Sequence, residues 1–168
     1  MVRLLPGIWR AVRDLWAKAV PMKCSDGGIS LIKEFDGYAA EPYDDVGCKV
    51  TWGYGHLCKT GETPPKHISE ADATALLCRD LEIAEACVDG LVDVDLSQNQ
   101  FDALCSFTFN LGCSKFMTST LLRKINAGDP TASEEFTKWC RVGNNQVPGL
   151  LRRRLAEQLL FSRSDGAE

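Results

Sequence analysis

The chain has 168 residues, 45% of them hydrophobic and 25% charged, the make-up of a soluble globular protein with room for one typical domain or two small lobes sharing a core. A net charge of −4 argues against a general nucleic-acid binder, which carries a strong basic excess. The charge is uneven: residues 1–23 carry Arg3, Arg10, Arg13, Lys18 and Lys23 against Asp14, a net +4, which leaves −8 for the remainder.

In the first 23 residues, Leu4, Leu5, Ile8, Trp9, Val12, Leu15, Trp16, Ala19 and Val20 recur at helical spacing, with basic residues between them and Pro21 at the end. Charges interrupt the apolar run well short of a membrane span, and no apolar stretch leads to a secretory cleavage site. A basic amphipathic helix with two tryptophans fits an anionic membrane surface; the alternative is a helix packed on the protein body.

Residues 28–37 predict a short helix stopped by Gly37. Residues 40–58, with Val50, Thr51, Trp52 and Tyr54 among Pro42, Gly47, Gly53 and Gly55, predict a small twisted antiparallel sheet. Ser69-x-x-Asp72 reads as a capping box before a long amphipathic helix carrying Ala73, Leu77, Leu81, Ala84, Val88 and Leu91. Ser97-x-x-Gln100 opens another, dense in Phe101, Leu104, Phe107 and Leu111. Asp129-Pro130 predicts the start of a helix running through Trp139 and Cys140, and Pro148 opens a last one. Residues 162–168 are polar and predict a frayed tail. The expected fold class is α+β, mainly helical: a small sheet-containing lobe joined by a long helix to a helical lobe, with a cleft between them for a ligand.

The eight cysteines are even in number, which suits disulfides in an oxidising compartment, although sequence alone does not fix the pairing. Cys48 and Cys58 flank the strand bearing Thr51 and are candidates to join across a hairpin end. Cys87 and Cys113 fall where the long helix and a later turn can meet. Cys78, Cys105 and Cys140 read as small buried apolar residues. The absence of any CxxC pair argues against a zinc ribbon, and His56 and His67 are not at ligand spacing, so no metal and no cofactor is expected.

The chemistry concentrates in residues 31–56. Asp36 and Asp45 bracket a chain reversal, and two carboxylates so placed are what glycosidic bond cleavage requires. One holds a proton for the leaving oxygen; the other, ionised, directs water to the opposite face of the sugar. Thr51 offers a hydroxyl beside that water. Gly53 and Gly55 allow the backbone close to a sugar ring, with Tyr54 between them. The bland alternative is an acidic turn followed by a hairpin.

Gly37, Tyr43, Asp45, Thr51, Gly53, Gly55 and His56 stand in the register of the catalytic signature of the phage-type lysozymes, glycoside hydrolase family 24, which the chain resembles. The resemblance continues through Asp80-Leu81, through Gln98 to Leu104, through Phe109 to Gly112 and through Ser119 to Leu122. It ends at Pro148-Gly149-Leu150 with Arg153-Arg154, and so covers residues 27–161. It implies a lysozyme-like fold in which residues 24–161 form the catalytic domain: 24–68 the sheet-containing lobe, 69–91 the connecting helix and 92–161 the helical lobe. It implies a muramidase of endolysin type cutting the β-1,4 bond between N-acetylmuramic acid and N-acetylglucosamine of peptidoglycan, with inversion. Asp36 would be the acid, Asp45 and Thr51 the water-handling pair, and Gly53, Tyr54 and Gly55 substrate contacts. His56 would pair with Asp80 for structural support.

One position departs from the family, which carries glutamate where this chain has Asp36. The side chain is shorter by one methylene, so two alternatives accompany the muramidase: a wall-binding relative with weak or no turnover, and a membrane-active protein working through residues 1–23. Glu34 and Glu41 lack the family position, and Glu34 would face elsewhere on a helix. Arg152, Arg153 and Arg154 read either as contacts for anionic wall groups or as a solvated helix face. The remaining expectations are a monomer with peptidoglycan as partner and no nucleic acid, made in a host cytoplasm and acting in the periplasm or on the wall.

Overall fold

A computed structural model describes residues 21–45 and 47–164. The expected helix within residues 1–23 therefore lies almost wholly outside the described residues, as does the end of the tail. Helix α1 spans Asp26–Asp36. Ser25 caps it by accepting from the Gly28 amide at 3.3 Å, and Gly37 ends it at φ 69°, a left-handed conformation that a side chain would disfavour. Strands β1 (Ala39–Asp44), β2 (Val50–Gly53) and β3 (His56–Leu57) follow as an antiparallel sheet in that order. Tyr43 pairs with Thr51, and Trp52 with His56.

Helix α2, Glu70–Leu91, is capped by Ser69 accepting from the Asp72 amide at 3.1 Å. Its 22 residues extend about 33 Å and pack into two separate cores. Ala73, Leu77 and Leu81 join Ile32 and Tyr54 beneath the sheet. Cys87 and Val88, farther along the same face, join Phe101, Leu104, Phe107, Phe116, Leu121, Ile125 and Phe136. The second core is built by α3 (Gln98–Leu111), α4 (Cys113–Met117), α5 (Thr120–Asn126) and α6 (Pro148–Phe161). Ser97 and Gln100 close a reciprocal capping box on α3, and Pro148 occupies the first turn of α6.

Two elements differ from expectation. Between α5 and α6 the chain winds as a 3₁₀ helix over Ala132–Trp139 rather than an α-helix begun at Asp129-Pro130. The Asp129 carboxylate folds back onto Thr131, accepting from its amide and its hydroxyl at 2.8 Å each, so the cap is spent on a local turn. The tighter winding stacks Ala132 over Glu135, both buried, with Phe136 in the core. After it comes a hairpin the hydrophobic pattern does not signal, β4 (Arg141–Val142) with β5 (Asn145–Gln146), turning at Gly143.

The cysteines resolve unequally. Cys87 of α2 and Cys113 of α4 form a disulfide. Cys48 and Cys58 do not join. Val50, not Cys48, lies level with Cys58, whose amide donates to the Val50 carbonyl, while Cys48 has already entered the turn at φ 57°. Cys105 and Cys140 are buried thiols as expected, but Cys78 is exposed because it follows Leu77 onto the solvent side of α2. No helix among the described residues is long and apolar enough to cross a membrane.

Candidate active site

A cleft of about 480 Å³ opens between the sheet and the helical core. Asp36, Asp45, Thr51, Gly55, His56 and Asp80 line it. Of the three expected substrate contacts, Gly55 alone is on its wall. Gly53 backs onto α2, where an added Cβ would meet that of Ala73 at 3.4 Å. Tyr54 is 4% exposed in the core beneath the sheet, and its hydroxyl donates to Glu70 at 2.7 Å. Tyr54 stands in the turn between β2 and β3 and packs with Ile32, Ala73, Leu77 and Leu81.

Asp45 sits in the turn after β1. Its Oδ1 accepts from the Gly47 and Lys49 amides at 2.8 Å each, two bonds that fix the carboxylate against the backbone. Thr51 is 2% exposed and donates to the Lys49 carbonyl at 3.0 Å, which leaves the hydroxyl oxygen's lone pairs as acceptors. Tyr43, its cross-strand partner, is on the same cleft wall.

Asp36 closes α1. Its Oδ1 accepts from Nη1 of Arg153 on α6 at 2.9 Å, and Oδ2 is buried without a protein partner. The arginine run is thus neither a solvated face nor a wall contact at its second and third members. Arg153 and Arg154 are 3% and 0% exposed. Both turn onto Glu157, itself fully buried: Arg153 Nε lies 3.2 Å from Oε1, and Arg154 Nε lies 2.9 Å from Oε2. Ser106 donates to Glu157 at 2.7 Å and Arg154 to Asn110 at 2.9 Å. Burial pushes the Glu157 carboxyl up and the Arg154 guanidinium down, and the attraction between the two opposes both shifts.

His56 is buried between two carboxylates. Nδ1 lies 2.6 Å from Asp80 on α2, and Nε2 lies 3.0 Å from Glu62 in the loop after β3. The His56 hydrogen bond, followed by the Lys59 amide, holds the Glu62 carboxyl below its usual range. Lys59 also reaches Asp80 at 3.4 Å. The group ties sheet, loop and α2 together.

The family model described as Phage lysozyme matches residues 33–157. The chain belongs to the phage lysozyme family. It is 40% identical over 147 residues to an endolysin of Acyrthosiphon pisum secondary endosymbiont phage 1, covering 83% of this chain and 98% of the relative. Its fold is similar to the muramidase domain of SpmX from Asticaccaulis excentricus, with a TM-score of 0.77 and 36% identity over 84% of this chain and 99% of that one. A variant of the phage P22 lysozyme is similar at a TM-score of 0.76 and 35% identity, over 83% and 98% of the two chains.

In this family member, sequence reasoning missed Arg153 as a partner of the cleft acid and Glu62 as the second carboxylate on His56. Arg153 and Arg154 stand four and three residues before Glu157, a spacing at which helical side chains meet. That signal was available. Glu62 lies in a loop, and nothing in the local pattern points it at His56.

Proposed function

We propose that this cleft is where the chain hydrolyses bacterial peptidoglycan, as a muramidase cutting between N-acetylmuramic acid and N-acetylglucosamine. Asp36 gives its proton to the leaving oxygen. Asp45, ionised and held by two backbone amides, orients and activates water with Thr51, and attack from the face opposite the leaving group inverts the anomeric carbon. The observation that carries this reading is the presence of Asp36, Asp45 and Thr51 on one cleft, contributed by a helix end, a turn and a strand. Gly55 and Tyr43 are the substrate-facing neighbours in this reading, while Gly53 and Tyr54 shape the sheet from behind.

The site of action is the cell wall. Synthesis in a host cytoplasm followed by action in the periplasm, as a monomer, completes the reading. The basic stripe of residues 1–23, with Trp9 and Trp16, suits contact with an anionic membrane surface on the way. The test is clearing of purified peptidoglycan by wild type and by Asp45→Asn. An amide cannot act as a base toward water, so Asp45→Asn is expected to lose lysis while keeping its circular dichroism spectrum. Undiminished lysis by the folded variant would remove Asp45 from the site.

A further inference from the structure

The buried Glu157 is not needed to touch substrate, yet it shares a guanidinium with the cleft acid. Arg153 donates through Nη1 to Asp36 and faces Glu157 through Nε, while its Nη2 reaches the Ser106 carbonyl at 3.3 Å. Oε1 of Glu157 accepts from Ser106, Arg153 and Arg154, while Oε2 is buried without a hydrogen bond, 2.9 Å from Arg154 Nε across an ion pair. Burial works against the charged form, but two guanidiniums against one carboxyl and the three donors at Oε1 favour the ionised carboxylate.

We propose that Glu157 is a positioning residue that takes up part of the charge of Arg153, so that Asp36 keeps its proton to higher pH than Arg153 alone would allow. The inference rests on Asp36 being the general acid. Its logic is a count of charges in a buried, weakly screened group. Two guanidiniums and Glu157 sum to one positive charge beside Asp36. Without Glu157 they sum to two, and each added positive charge favours the ionised acid. A family member with the shorter acid has particular need of such a counter-charge, since the lower reference pKa of aspartate already works against protonation near neutrality.

Other charged groups near Asp36 are accounted for. Asp45, His56, Lys59 and Asp80 line the same cleft from the sheet and α2. On α1 itself, Lys33 is engaged by Glu70 and Thr74, and Glu34 is exposed. From α3, Ser106 and Asn110 contribute neutral groups. Glu157 is the acidic group facing Arg153 from α6.

The experiment is the pH profile of turnover on purified peptidoglycan, with folding checked by thermal melts. Glu157→Gln keeps the shape and removes the charge; its alkaline limb should move down by about one pH unit. Arg154→Gln removes a positive charge from the same group and should move that limb up. Glu157→Asp keeps the charge and should hold the limb near the wild-type position while lowering the melting temperature. A role in packing alone predicts the reverse ranking, with isosteric Gln nearest to wild type and no limb displaced. An unmoved limb in folded Glu157→Gln overturns the inference, and if that variant does not fold, an unmoved or lowered limb in Arg154→Gln, or a displaced one in Glu157→Asp, does so instead. Asp36→Asn separates the two layers. If it still turns over, the acid assignment falls; if it is dead and the limbs stay fixed, only the role of Glu157 falls.

Discussion

In the proposed mechanism, Asp36 is the residue on which turnover would depend most. Aspartate sets its carboxyl back by about 1.5 Å relative to glutamate, and misplacement of that size can cost about a hundredfold in rate. The carboxyl is pinned by Arg153 at 2.9 Å, so the shortfall is not made good by a wandering side chain. Asp36→Glu is therefore expected to raise turnover on peptidoglycan, by about tenfold or more, and to extend activity toward neutral pH. Loss of activity in Asp36→Glu would mean that the cleft is built around the shorter acid. At this scale the motif register named Asp45, Thr51 and the His56–Asp80 pair, and the fold brings the first two to one cleft and the second two into contact. It did not disclose the environment of Asp36, since Arg153 is 117 residues away and its partner is set by how α6 lies on α3.

The elements explain how distant residues reach one cleft. Helix α2 belongs to both cores, and the Cys87–Cys113 disulfide ties its second half to α4, whose first residue lines the cleft. A bridge closing a loop of this length is typically worth about 3 kcal/mol, a melting shift of roughly 6–12 °C for a chain this size. Cys87→Ala with Cys113→Ala, or reduction of wild type, should lower the melting temperature by that amount in a differential scanning measurement. A shift under 2 °C would show that the helical core holds α4 without the bridge. Capped helices were legible where Ser69, Ser97 and Pro148 declare their own starts, whereas the Ser25 cap, which begins α1 at Asp26 rather than at 28, was not read. The 3₁₀ segment and the β4–β5 hairpin were not, because a local turn at Asp129 and a two-residue reversal at Gly143 leave little hydrophobic period to read.

At the scale of the whole molecule, two apolar clusters sharing one long helix leave an open cleft between sheet and helices, with acids on its wall. The long helix and the order of sheet before helices were readable from hydrophobic spacing, and the cleft follows from them. The central claim is that this cleft cuts glycan strands, and the bonds broken in the substrate test it most directly. Purified peptidoglycan digested with the full chain and analysed by mass spectrometry should yield fragments with new reducing ends on N-acetylmuramic acid, and Asp36→Asn should yield none. Fragments cut in the peptide stems, or the same reducing ends from folded Asp36→Asn, would contradict the account.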